Sequence, residues 1–133
     1  MNDCIFCKII NGELPSKTVY EDEQIKVIVN INPVTNGHLL VLPKQHYVDI
    51  FDIKEELIPH CFKVIRDIIY PLLKEKLNCK GLTLTENNLL GQEIHHFHIH
   101  VIPRYNSDDN IEFEINKDKL ENIDTIYNKI MEK

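Results

Sequence analysis

A chain of 133 residues can bury one hydrophobic core but not two, so the expectation is a single domain over residues 1–133. A formal charge of -6 excludes a general DNA- or RNA-binding protein, which needs a basic footprint. No apolar run approaches the ~20 residues of a membrane span, and Met1 to Ile10 lacks the basic start of a secretory signal. A cytoplasmic globular protein is the default, and 43% apolar with 27% charged residues suits one.

Asp3 to Gly12 reads as a short helix: Asp3 caps it, Ile5, Phe6, Ile9 and Ile10 form one apolar side, and Gly12 ends it. Cys4 and Cys7 carry the spacing of metal ligands or of a redox pair. A thioredoxin-like redox site needs a strand leading into the motif, and only Met1 to Asp3 precede it. Zinc needs two further ligands, for which His46 and His96 are candidates.

Val19–Tyr20 and Gln24–Ile31 read as strands joined by the acidic turn Glu21-Asp22-Glu23, and Asn32 to Gly37 as a loop. His38 to Pro43 is a strand whose Leu39 and Val41 face away from His38 and Leu40. His38 thus opens a strand at a loop edge, a natural place for an active-site residue.

Asp52 with Glu55 has the form of a capping box that opens a long helix to about Leu77. Ile58, Cys61, Phe62, Ile65, Ile68, Ile69 and Leu72 recur at helical spacing and lay that helix on the sheet. Pro59 and Pro71 are expected to kink it. Cys61 belongs to the apolar stripe, and Cys79 is assigned no role. Gly81 to Glu86 is a further strand, and Asn87 to Gly91 turns the chain back.

Four of the seven histidines fall within residues 95–100. His96, His98 and His100 alternate with Phe97, Ile99 and Val101, so a strand over Ile94–Ile102 puts the imidazoles on one face and the apolar residues in the core. His95 falls on the other face, as packing or surface. The outer two imidazoles of the row lie about 13 Å apart, too far to share one zinc with ligands at about 2 Å. At least one is therefore free for other chemistry, and metal binding and nucleophilic catalysis both remain open. Beyond the acidic stretch Ser107–Asn110, Ile111–Ile115 alternates as a short strand. Lys117–Lys133 reads as a helix with Leu120, Ile123, Ile126, Tyr127 and Ile130 on one side.

His96-x-His98-x-His100 followed by Val101-Ile102, with Gly91-Gln92 before it and Gly37 to His46 upstream, resembles the motif of the histidine triad (HIT) family of nucleotidyl hydrolases and transferases. The resemblance runs from Cys4 to about Tyr105 and leaves 106–133 as a C-terminal extension. It implies an α+β HIT fold: about five antiparallel strands, one long packed helix, and helices at both ends. It also implies a homodimer joined through the long helix and the Gly81 strand, and one structural zinc per chain on Cys4, Cys7, His46 and His96.

By the same resemblance, His98 attacks the α-phosphorus of a nucleotide and forms a nucleotidyl-histidine that water resolves. His100 and His38 orient phosphate oxygens and assist proton transfer, and Gln92 donates to phosphate or leaving group. Ile5, Phe6 and Ile9 line the base pocket, and Asn30-Ile31 stand at the sugar where relatives usually carry Asp-Ile. An amide there loses the charge-assisted bond of a carboxylate. The Asn87–Leu90 segment is also shorter than in relatives. The implied reaction is hydrolysis at the α-phosphate of purine nucleoside phosphoramidates or related AMP or GMP conjugates, with no nucleic acid or membrane partner. The alternatives are a diadenosine polyphosphate hydrolase of the same family and a catalytically idle nucleotide- or zinc-binding adaptor. An intact His38, His96, His98 and His100 argues against the adaptor.

Overall fold

The computed structural model of the protein describes residues 3–107, 111 and 113–132. Five antiparallel strands form one sheet in the order β1-β2-β3-β5-β4: β1 (Thr18–Glu21), β2 (Ile25–Val29), β3 (Leu39–Pro43), β4 (Gly81–Thr85) and β5 (Ile99–Arg104). β3 lies at the centre and is buried at every position, as a run of Leu, Leu, Val, Leu and Pro requires. Leu39 and Val41 point with Ile99 and Val101 into the main core. Leu40 and Leu42 point the other way, where they pack with Ile28 and with Phe6 of the short helix α1 (Ile5–Ile10). The even-numbered positions of β3 and β5 therefore face α1, and His38, His98 and His100 share that parity.

The main core is closed by one helical run, α2 (Leu57–Val64), a π-helical turn (Ile65–Ile69) and α3 (Tyr70–Leu77). It starts later than the capping-box reading placed it. The Asp52 carboxylate accepts the Val48 N–H at 2.8 Å, and Asp49 accepts from the N–H groups of Phe51 and Asp52. These acids are spent on the preceding loop, and Glu56 begins the helix without a side-chain cap. Pro59 occupies the first turn, where its missing N–H has no helical acceptor in any case. The wider π turn immediately precedes Pro71 and makes room where the α ladder loses a donor.

The histidine strand is shorter than its alternation suggests. Pairing with β3 runs Leu39↔Val101, Leu40↔His100, Val41↔Ile99 and then stops. Continued, that register would set Phe97 against Pro43, which has no N–H to donate. Residues 95–98 instead approach β5 outside the ladder, and Phe97 N–H donates to the Tyr47 carbonyl at 2.6 Å.

At the C-terminal end no strand forms at Ile111 or Phe113–Ile115; Glu112 and Asp108–Asn110 lie outside the described residues. The expected helix from Lys117 reduces to a single 3-10 turn (Lys117–Lys119) and α4 (Ile123–Met131), because the Asn122 side chain caps the Asp124 N–H at 2.8 Å and starts the helix there. Lys133 lies outside the described residues. No described residue of α4 is buried. Among the described residues no helix is long and apolar enough to cross a membrane.

Candidate active site and metal site

Two groups of side chains meet under α1. In the first, Cys4 stands at the N-cap of α1, Cys7 within it, His46 in the loop after β3, and His96 in the approach to β5. Cys4 Sγ lies 3.4 Å from His96 Nδ1, and Cys7 Sγ lies 3.3 Å from His46 Nδ1 and 3.6 Å from His96 Nδ1. All four ligand atoms fall within 4.8 Å of one another. Four ligands at about 2.0–2.3 Å around one tetrahedral ion sit roughly 3.5 Å apart, so the group has the dimensions of a metal centre. His96 is also held in the tautomer a metal needs. Its Nε2–H donates to the Pro43 carbonyl at 2.8 Å and leaves the Nδ1 lone pair toward the sulfurs. Burial, with Cys4 alongside, pushes the Cys7 thiol up to about 11, and burial pushes His96 down to about 4. The four residues are compatible with a bound metal ion.

The second group is His98, His100 and His38. His98 Nδ1–H donates to the His96 carbonyl at 2.7 Å, which leaves the Nε2 lone pair free. The edge of Phe6 packs on His98 at 5.1 Å between centroids, and His100 follows at 5.0 Å. The His38 ring accepts the Val34 N–H on Nδ1 at 3.0 Å, so its proton sits on Nε2. That proton is donated to His100 Nδ1 at 2.9 Å, and the His100 proton is left on Nε2. Burial lowers the proton affinity of His98 and His38, and lowers that of His100 to about 4. On His98 the His96 carbonyl and the carboxylates of Glu86 and Glu93 act in the opposite direction. The result is a lone pair on one imidazole and an N–H on its neighbour, with all three rings uncharged at neutral pH.

The remaining expected site residues take varied positions. Gln92 is buried, and its amide donates to the Val48 carbonyl while its oxygen faces His95 Nδ1 at 3.3 Å. Exposed His95 thus touches Gln92, which alternation alone did not suggest. Phe6 is buried and Ile9 half-buried, whereas Ile5 is half exposed and Ile31 is 90% exposed. Asn30 faces His38 across the end of the β2–β3 ladder and donates its backbone N–H to the His38 carbonyl at 2.9 Å. Asn88 ties the 87–91 turn to the Ile50 N–H at 2.8 Å, with Leu89 at φ 63 in the tightened turn. Sequence reasoning missed Glu86 and Glu93 near His98 and the backbone groups of Pro43, Val34 and Val48. Only Pro43 carried a signal, as a residue that must end a ladder.

Known proteins resemble this chain in sequence and in fold. An uncharacterized HIT-like protein of Methanocaldococcus jannaschii is 43% identical over 107 residues, 79% of this chain and 81% of that one. An adenylylsulfatase of Arabidopsis thaliana is 38% identical over 80% of this chain, which spans 55% of that protein's length. The crystal structure of a Zn-bound histidine triad family protein from Mycobacterium smegmatis superposes with a TM-score of 0.77 at 35% identity, covering 86% of this chain and 84% of that one. With residues 11–107 matched by the family model described as HIT domain, the chain belongs to the HIT family.

Proposed function

We propose that the protein is a nucleotide hydrolase that cleaves purine nucleoside phosphoramidates or related nucleoside monophosphate conjugates at the α-phosphorus. The observation that carries this is the His98 ring: the His96 carbonyl accepts the Nδ1–H, which holds the proton there and leaves Nε2 as a neutral nucleophile in a buried site. His98 Nε2 bonds to phosphorus as the bond from phosphorus to the leaving nitrogen breaks, and the departing amine takes up a proton from solvent. The Nδ1–H to carbonyl bond then stabilises the positive ring of the nucleotidyl-histidine. Water attacks phosphorus in the second step and gives up a proton to solvent, the P–N bond to His98 breaks, and nucleoside monophosphate leaves. His100 Nε2–H, oriented through His38, donates to a phosphate oxygen, and Gln92 borders the leaving group.

Cys4, Cys7, His46 and His96 would hold one structural zinc, which when bound ties α1 to the loop after β3 and to the approach to β5; the donor chemistry and spacing support this assignment. Phe6 and Ile9 would offer an apolar side to the base, with Ile5 at the rim. A homodimer is supported by the open edge of β4 and by a groove of about 290 Å³ lined by Phe62, Ile65, Arg66, Tyr70, Leu82 and Leu84. We assign residues 1–133 to one domain and the protein to the cytoplasm.

AMP release from an adenosine phosphoramidate near neutral pH tests the reading. The wild type should turn over, and His98→Ala should lose on the order of 10³-fold or more in kcat. A wild type inert on this substrate and on dinucleoside polyphosphates, yet able to bind AMP, would leave the idle adaptor.

A further inference from the structure

The side-chain amide of Gln92 is held at both ends. Its nitrogen donates to the Val48 carbonyl, and its oxygen faces His95 Nδ1 at 3.3 Å. A carbonyl only accepts, so Val48 decides which end of the amide carries the nitrogen. The oxygen must then turn to His95, and a bond there requires a hydrogen on Nδ1. Turning the amide over would set its oxygen against the Val48 carbonyl. Turning the His95 ring would put a C–H where the oxygen needs an N–H. The arrangement thus runs in one direction, from His95 N–H through the Gln92 amide to the Val48 carbonyl. Val48 takes one of the two amide hydrogens and leaves the other for a bound molecule.

His95 reaches Gln92 because the chain bends over residues 93–96. In an extended strand the two would stand about 10 Å apart along the chain. Their surroundings differ sharply. Gln92 is 8% exposed, whereas His95 stands at the surface and fills no part of the core.

We propose that His95 is a positioning residue: its Nδ1–H, together with the Val48 carbonyl, fixes the plane of the Gln92 amide and aims the remaining N–H at the leaving group. The inference rests on the role given to Gln92 above. One bond to Val48 anchors the nitrogen but lets the amide swing about it. A second bond at the oxygen stops that rotation. A donor aimed in advance acts on charge that develops in the transition state, so the gain falls in kcat and not in substrate binding. His95 acts through Gln92 alone.

Turnover of an adenosine phosphoramidate by the full chain tests this in the wild type, His95→Phe, His95→Asn, Gln92→Ala and the Gln92→Ala/His95→Phe double variant. Phenylalanine keeps a ring without the donor, and the asparagine amide nitrogen can stand where Nδ1 stands. His95→Phe should lose about 5–10-fold in kcat with KM within about 2-fold of the wild type. His95→Asn should recover kcat to within about 2-fold of the wild type. The double variant should be no slower than Gln92→Ala, because without the amide His95 has nothing to hold. An undiminished His95→Phe, an equal loss in His95→Asn, or a His95→Phe loss that persists in the Gln92→Ala background would each overturn the proposal and leave the nucleotide reading standing. A Gln92→Ala as fast as the wild type would do the same. A wild type inert on this substrate would overturn both.

Discussion

At the turn between β1 and β2 a single carboxylate, Asp22, gathers four donors: the N–H groups of Gln24 and Ile25, the Tyr20 hydroxyl and the His60 ring. Burial alone would raise its proton affinity, but the two backbone donors, with His60 and Tyr20, outweigh it and hold the carboxyl at about 2. The folded value lies below the unfolded one, so the stabilisation is complete above about pH 4 and is lost as pH falls through about 2. From 3.8 to about 2 this amounts to about 2 kcal/mol for a side chain only 25% exposed. Urea unfolding should show Asp22→Asn weaker by about that amount at pH 6, with the gap closing toward pH 2; a gap independent of pH would assign the loss to packing. The same physics applies at the site with opposite chemistry. His38 and His100 are pushed down by burial, so their neutral forms persist as pH falls below the ordinary imidazole value of ~6.5. The acid limb of kcat/KM for AMP release should accordingly lie below that value, and a limb above it would show that the rings charge readily. Residue types and their alternation made the imidazole row legible in the sequence. The tautomer of each ring was not, since it is set by a carbonyl or N–H that has no sequence signature.

Between elements, the site depends on two joints. Gly37 sits at φ +85 just before His38, and a Cβ there would lie 2.6 Å from the Leu77 side chain at the end of α3. Gly37→Ala should cost about 1–3 kcal/mol in urea unfolding and reduce turnover by displacing His38 from Val34 and His100. Unchanged stability would mean that Leu77 and the backbone yield freely. The second joint is α1, six residues long and too short to be stable alone. Phe6 packs it on His96 and His98, and the proposed zinc would fasten it through Cys4 and Cys7. Cys7→Ser should lower bound zinc below one per chain and lower the melting midpoint by about 10 °C, as should a strong chelator on the wild type. A midpoint indifferent to both would sink the zinc assignment. Hydrophobic periodicity marked α1, the strands and the long helical run within a few residues. It misplaced boundaries where a polar side chain had a better partner than the one the pattern offered: Asp52 at Val48, and Asn122 at Asp124.

Taken whole, the chain leaves apolar surface at the β4 edge and along the helical run. Phe62 and Leu84 stay partly exposed beside the groove they line. Edge strands and grooves of this kind are ordinarily covered. Sedimentation of the wild type should give about twice 15.7 kDa, and Leu84→Glu should shift it toward the single-chain mass. A wild type sedimenting as one chain would rule out the proposed dimer.

The α+β fold and the metal set Cys4, Cys7, His46 and His96 came from the resemblance to the HIT family, while alternation and helical spacing alone marked the individual elements and a row of imidazoles facing away from the core. The elements and the row follow from residue type and period, which are local properties. Tertiary structure decided where the histidine strand leaves its ladder, because Pro43 lies opposite Phe97 only once β3 and β5 are in register. It also decided which nitrogen of each imidazole carries the proton. Those outcomes depend on hydrogen-bond partners that only the folded chain brings within about 3 Å.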